Sequence, residues 1–236
     1  RDPRTIFVAN SPLCKREIRD FLNVPDDRVV TIPNTIDSRR WSGTPRSESS
    51  KSRAKRFFTL NPDWPCVVFV GSGFYRKGLE PLIRTIGMTK DLQLLVVGSD
   101  KSTRSYESLS DRLAPGRVSF LGPTNDIDKA LEAADVFCLP SLYDSFSNAC
   151  LEALAAGIPV VTTRDCGLSD YIERGGCGRI CLRHPESILE SIQYCIDNAV
   201  TLSTGASALA QQFDHTILAQ MWTDLYERLL DLRACK

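Results

Sequence analysis

Short apolar runs that end in Gly, Ser or Pro alternate along the chain with longer amphipathic stretches, and this alternation restricts the fold more than any other feature. Strands separated by helical stretches pair in parallel by crossing over a face of the sheet. The runs at 6–9, 28–32, 66–70, 92–97, 117–121, 136–139 and 159–162 predict strands. Apolar residues at 3.6-residue spacing predict helices over 13–22, 78–88, 105–113, 127–133, 148–156, 186–199, 203–210 and 215–233. The expected class is α/β: a doubly wound, Rossmann-like parallel sheet covered by helices.

Of 236 residues, 42% are hydrophobic and 25% charged, a balance that supports a core without disulfide or metal staples. Lys plus Arg and Asp plus Glu each number 29, which argues against a general nucleic-acid or anionic-membrane surface but allows a small basic pocket. The 9 cysteines include no CxxC pair, so they read as reduced thiols packing as small hydrophobes in a reducing cytosol rather than as zinc ligands. No apolar run approaches the roughly 20 residues of a membrane span, and no stretch reads as a signal peptide. The chain opens at Arg1 without Met and soon enters a strand-like run, so the reading is a segment of a longer protein. From 37 to 61 the composition shifts to Ser, Arg and Lys, read as a surface linker with a solvated basic face and a short helix over 53–60.

Ligands of open parallel sheets sit outside the carboxyl ends of the strands. Those ends here are rich in small and polar residues: Gly71-Ser-Gly73, Gly98-Ser-Asp100, Leu121-Gly-Pro123, Pro140-Ser141-Leu142 and Thr162-Thr163-Arg164. The segment from Gly71 to Gly78 satisfies neither common phosphate motif. Arg76 stands where a dinucleotide fingerprint needs its third Gly, and Leu79 and Glu80 stand where a P-loop needs Lys and Ser or Thr. What remains is a glycine turn followed by Arg76 and Lys77, read as two cations at a helix start and suited to a diphosphate.

Downstream, Asp144 lies after a strand and Glu152 follows with seven residues between them. Ser147 or Asn148 is placed to cap a helix, with Glu152 about one turn in and leaning back towards the same mouth. Two carboxylates can accept pairs of sugar hydroxyls while the helix head offers N–H groups to a phosphate. The competing reading is a turn aspartate and a glutamate that favours the helix dipole.

These motifs, in order, resemble the retaining, nucleotide-sugar-dependent glycosyltransferases of family 4, which have the two-domain GT-B fold. Asn10-Ser11, Ile32 to Asp37, Val70-Gly71 with Arg76-Lys77-Gly78, Val97-Gly98, Phe120 to Gly122, and Asp144 to Glu152 with Gly157-Ile158-Pro159-Val160 all take part. The stretch from Thr162 to Gly167, with Tyr171-Ile172 and Cys177-Gly178, is similar in particular to bacterial lipopolysaccharide-core α-glucosyltransferases. The resemblance implies that Arg76 and Lys77 hold the donor diphosphate, Glu152 the ribose, and Asp144 the transferred sugar. It gives the backbone of Phe146, Ser147, Asn148 and Ala149 to sugar and phosphate, and the loop at Leu121 to Pro123 to the base. Gly71, Gly73 and Gly98 line the same mouth.

The implied layout is a remnant of an N-terminal acceptor domain and linker (1–24), a Rossmann-like donor domain (25–214) and a C-terminal crossing helix (215–236). That helix carries Trp222 and Tyr226 on an apolar face expected to be either core or partly exposed. The implied substrate is a UDP-linked sugar, with no cofactor, no metal and no nucleic acid. A glycan or lipid-linked acceptor would be bound through the missing domain, in a cytoplasmic protein that can be peripheral at the inner face of the membrane. The fragment alone is expected to be inactive. Three positions depart from the family pattern: Asp144 replaces a frequent Glu, Thr35 replaces the Gly after Asn34, and Leu168 replaces the second Gly after Gly167. A non-catalytic nucleotide-binding or regulatory module and a GT-B-like sugar-nucleotide epimerase are the alternatives. Asp126 and Asp128 read as a helix cap, with Asn125 or Asp126 capping, rather than a metal pair. His184 and His215 read as structural.

Overall fold

Cys66–Val70 has five apolar residues with no polar alternate, the pattern of a strand covered on both faces. The computed structural model, which describes residues 5–41, 46–124 and 126–234, sets this strand in the middle of a six-stranded parallel sheet. In chain order the first half comprises β1 (Phe7–Ala9), α1 (Pro12–Leu22), β2 (Val29–Thr31), α2 (Glu48–Phe57), β3 (Cys66–Val70), α3 (Phe74–Lys77), α4 (Leu79–Gly87), β4 (Gln93–Val97), α5 (Thr103–Leu113), β5 (Val118–Gly122) and α6 (Ile127–Ala133). There follow β6 (Val136–Leu139), α7 (Asn148–Ala155), β7 (Val160–Thr163), α8 (Ser169–Gly175), β8 (Gly178–Cys181), α9 (Pro185–Asp197), α10 (Ala199–Gln211) and α11 (His215–Ala234).

The strand order is β5-β4-β3-β6-β7-β8. The chain works outward from β3 to one edge and then returns to the other side of β3, so the winding reverses between β3 and β6. Loops leaving two neighbouring strands in opposite directions open a crevice there, which is where ligands of doubly wound sheets bind. Phe69 and Phe137 on these strands, with Phe74 at the start of α3 and Phe146 on the loop after β6, are fully buried and anchor both walls of the crevice.

Sheet pairing separates β2 from the run that follows it. β2 pairs with β1 in a two-stranded parallel sheet of its own, joining residues on either side of the boundary expected between 24 and 25. This small unit rests against the main body. Arg16 pairs with Asp170 at 2.8 Å, and the Tyr143 hydroxyl donates to Glu17 at 2.7 Å.

Two expectations for the 37–61 stretch are corrected. The helix runs over Glu48–Phe57 rather than 53–60, because Ser47 and Ser50 form a reciprocal capping box that starts it early. Its basic residues are not all solvated: Lys51 and Lys55 each reach Asp135 at 2.8 Å, and Lys55 is buried. Asp135 also accepts the Cys66 N–H at 2.8 Å, so a buried ion cluster pins α2 to the start of β3.

The wide apolar face of α11 is divided. Leu218 and Leu225 are buried, whereas Ile217, Trp222, Tyr226 and Leu230 are exposed, with the Trp222 and Tyr226 rings stacked 5.9 Å apart. Among the described residues, no helix is long and apolar enough to cross a membrane.

Candidate functional site at the β3–β6 crevice

β3 leaves the sheet at Gly71 and enters α3, a single turn bounded by Gly73 and Gly78, both in the left-handed region. Arg76 and Lys77, expected at a helix start, are the last two residues of this turn. Gly78 ends this turn and is also the N-cap of α4, so the two cations stand immediately before the head of that helix, as expected. At Gly78 the left-handed conformation is joined by a close approach: a Cβ there would lie 2.0 Å from the Pro140 carbonyl oxygen. The turn after β3 thus sits directly on the exit of β6, and the Leu142 N–H donates to Arg76 O at 2.7 Å. Asp100, after β4, accepts the Phe74 N–H at 3.0 Å and fixes the other end of the turn. Gly98, before it, donates to Gly122 O at 2.9 Å.

On the facing loop, Asp144 is held by its own backbone. Its N–H donates to Asp165 O at 2.9 Å and its carbonyl accepts from Gly167 N at 2.8 Å, a parallel bridge to the loop after β7. The Asp144 carboxylate accepts from Lys77 Nζ, and both side chains are largely buried, at 11% and 14% exposure. The Lys77 stem reaches across the Cα of Gly71 to do so. The exposed Arg76 guanidinium donates to Tyr143 O at 2.8 Å. The structure therefore brings Arg76, Lys77 and Asp144 together across the crevice, from positions 67 residues apart in the chain.

The loop then delivers the head of α7. Ser147, with φ 75° and ψ 85°, is the cap, and its hydroxyl accepts the Cys150 N–H at 3.4 Å. The N–H groups of Asn148 and Ala149 stand in the first turn, where a helix supplies no partner of its own. Phe146 packs its ring against Phe213 at 5.8 Å, so only its backbone is available to a ligand, and its N–H faces Asp144 at 3.5 Å. Glu152 is half-buried. Burial pushes its carboxyl above the ordinary value, Arg40 pulls it back, and Asp128 adds to the rise.

Arg40 was missed in the sequence, where it reads as one more cation of a basic linker. It pairs with Asp128 at 2.7 Å and lies near enough to Glu152 to act on its charge. Asp128 is thus half of an ion pair. Asp126 holds the N-cap position of α6 but makes no side-chain capping bond, and Asn125 lies outside the described residues. Leu121 lies in a strand, as predicted, half-buried against the core, but β5 continues one residue further to Gly122, so the loop expected from Leu121 begins at Pro123.

His184 caps α9 through its Nδ1, which accepts from Ser187 N at 3.4 Å. His215 joins Asp37 and Asp214 in a group whose ligand-type atoms lie within 4.8 Å of one another. That group belongs to the junction where residue 36 bridges to the start of α11, not to the crevice, and the sequence distance between its members hid it.

Comparison with known proteins bears on the family and the fold. The family described as "Glycosyl transferases group 1" matches residues 50–210. The lipopolysaccharide glucosyltransferase WaaG of Escherichia coli K12 is 32% identical over 230 residues, covering 93% of this chain and 60% of that protein. The lipopolysaccharide core biosynthesis glycosyltransferase LpsE of Rhizobium meliloti is 29% identical over 95% of this chain and 63% of its own length. In fold, the chain superposes on Anabaena Alr3699/HepE in complex with UDP-glucose with a TM-score of 0.82 at 23% identity, over 94% of this chain and 64% of that one. The chain therefore spans about 60% of the length of these relatives. Its Rossmann-like sheet is of the GT-B glycosyltransferase type, and the chain belongs to the group 1 glycosyltransferase family.

Proposed function

We propose that this chain is the donor-binding part of a retaining hexosyltransferase that takes its sugar from a nucleotide-sugar, UDP-glucose or a related UDP-sugar. The observation that carries the reading is the Lys77–Asp144 pair across the β3–β6 crevice, with the Arg76 guanidinium and the head of α7 beside it. A diphosphate needs clustered cations and backbone donors, and a hexose needs a carboxylate that can accept from two hydroxyls. All of these converge at the one place where the sheet topology opens a crevice.

The roles follow from reach and chemistry. Lys77, Arg76 and the N–H groups of Asn148 and Ala149 take the diphosphate. Asp144 takes the sugar, and Glu152 takes the ribose, its carboxylate accepting from hydroxyls. In the transfer step the bond from the anomeric carbon to the phosphate oxygen breaks, and the departing diphosphate keeps the electron pair. The acceptor oxygen bonds to the anomeric carbon on the face the diphosphate leaves, and the acceptor's proton passes to a phosphate oxygen. Cations aimed at the leaving group stabilise the charge that develops there.

UDP-glucose is favoured among donors because the HepE structure of the same fold is a complex with it. A lipopolysaccharide-type acceptor is favoured because WaaG and LpsE are named for that chemistry. On this reading, residues of the whole protein outside this chain bind the acceptor, in the cytoplasm or at the inner face of the membrane, and the chain alone transfers little or no sugar.

Calorimetric titration with UDP, UDP-glucose, GDP-mannose and ADP-glucose, with and without Mg²⁺, tests the reading. Binding selective for UDP-sugars, independent of Mg²⁺ and weakened by both Lys77→Ala and Glu152→Ala is the expected result. Equal affinity for UDP and every UDP-sugar, before and after Asp144→Ala, would instead describe a module that ignores the sugar.

A further inference from the structure

Arg183, two residues beyond β8, makes contacts that none of the roles above uses. Its Nε donates to Pro140 O at 3.2 Å, its Nη2 donates to Tyr75 O, and its guanidinium carbon lies 5.5 Å from the Tyr75 ring centroid. Pro140 is the first residue after β6, and Tyr75 lies in α3 immediately before Arg76. One planar fork from a third loop therefore clamps the two loops that form the crevice. The carbonyl it holds at Pro140 is the same oxygen that Gly78 approaches without a side chain.

We infer that Arg183 is a positioning residue for the diphosphate site, fixing the α3 turn against the exit of β6 so that Arg76 and Lys77 face the phosphates. The inference rests on the proposed function and adds a residue to it. Two carbonyls on different loops need two donors at fixed separation, which a guanidinium supplies and an ammonium does not. Among the described residues, the other hydrogen bonds and ion pairs between these loops are the Leu142 N–H to Arg76 O bond and those of the Lys77 and Arg76 side chains. Without Arg183, more of the turn's placement against β6 would fall on those two side chains, which also bind the ligand. Arg183 acts on the backbone of the turn, so its loss should affect only the part of binding that the phosphates contribute.

The test compares UMP with UDP on the wild-type chain, Arg183→Ala and Arg183→Lys. The gain in affinity from UMP to UDP measures the cationic turn, while UMP binding serves as a check that the nucleoside end and the fold are intact. Arg183→Ala is expected to lower the UDP gain by about tenfold, the equivalent of one charge-assisted hydrogen bond, with UMP affinity unchanged. Arg183→Lys, which keeps the charge and loses the fork, is expected to restore less than half of that loss on a logarithmic scale. A full UDP gain in Arg183→Ala, or complete rescue by Arg183→Lys, would overturn the assignment. If the wild-type chain itself bound UDP no better than UMP, the proposed function would fail instead, and the two failures are told apart by that first measurement. Equal loss of UMP and UDP in Arg183→Ala would reduce Arg183 to a general structural residue and also overturn the inference.

Discussion

Asn34 Nδ2 donates a 2.8 Å hydrogen bond to Asn148 Oδ1, so the segment leaving the small sheet is tied to the head of α7. The bond fixes which end of the Asn148 amide accepts, and it leaves that amide's two N–H donors for other partners. The tie also makes the head of α7 sensitive to the position of the small β1–β2 unit.

Asn34→Asp replaces the donor with a carboxylate beside the proposed phosphate site. UDP affinity is expected to fall by about tenfold, and by about threefold in Asn34→Ala, where the tie is lost without added charge. Calorimetry on the three proteins orders them, and indistinguishable affinities would show that the tie has no part in binding.

Lys77 and Asp144 are coupled in stability as well as in the proposed chemistry. Removing one member of a largely buried ion pair leaves the other charge without compensation, so Lys77→Ala is expected to cost about 3 kcal/mol. The double variant with Asp144→Ala should recover part of that, giving a coupling energy of about 1 to 3 kcal/mol in a double-mutant cycle. Urea unfolding of the four proteins measures it, and strict additivity would mean that the pair contributes nothing.

How much of this was legible in the sequence follows from where each signal lies. β3, β6 and α6 coincide with the predicted ranges because their apolar patterns are uninterrupted and locally complete. β8 was missed because it is an edge strand that opens on Gly178 and carries the exposed Arg179, whose guanidinium lies over Tyr194 instead of in the core. α8 was missed because its only apolar side chains, Tyr171 and Ile172, are adjacent and show no helical spacing, whereas α6, equally long, repeats apolar residues at Ile127, Ala130 and Leu131. In the site, Lys77, Asp144, Ser147 and Glu152 stood out through spacing within single loops. Arg40 and Arg183 did not, since their partners lie 88 and up to 108 positions away and only the fold brings them together.

The ion cluster at Asp135 predicts an acid transition. Burial opposes the charge there, but hydrogen bonds from Lys51, Lys55 and the Cys66 N–H outweigh it and hold the carboxyl below its ordinary value of 3.8. The unfolded chain therefore takes up the proton first. The cluster's contribution is complete above the ordinary Asp range and is lost as pH falls through the depressed folded value. Asp135→Asn should remove this pH dependence and, by leaving Lys51 and Lys55 without their partner, cost about 3 to 5 kcal/mol at neutral pH. Urea midpoints measured from pH 7 down to pH 3 compare the two slopes, and parallel curves would count against the assignment.

Gly167 is where the small unit, the Asp144 loop and the loop after β7 meet, and the backbone there leaves no room for a side chain. A Cβ at 167 would lie 2.0 Å from Ser145 O and 2.7 Å from both Cβ and Oγ of Ser11. Ser145 O is backbone and cannot rotate away, so Gly167→Ala must push the loop outward and stretch the 2.8 Å bond from Gly167 N to Asp144 O. The expected cost is about 1 to 3 kcal/mol, typical of overpacking a close contact. UDP-glucose binding should weaken more than UDP binding, because Asp144 is assigned to the sugar. Gly122→Ala provides the comparison. At φ 69° with no atom within 4 Å of its Cβ, it should cost about 1 kcal/mol from conformation alone and leave the UDP-glucose to UDP ratio unchanged. Equal effects of the two substitutions on that ratio would mean that the packing at Gly167 does not reach Asp144.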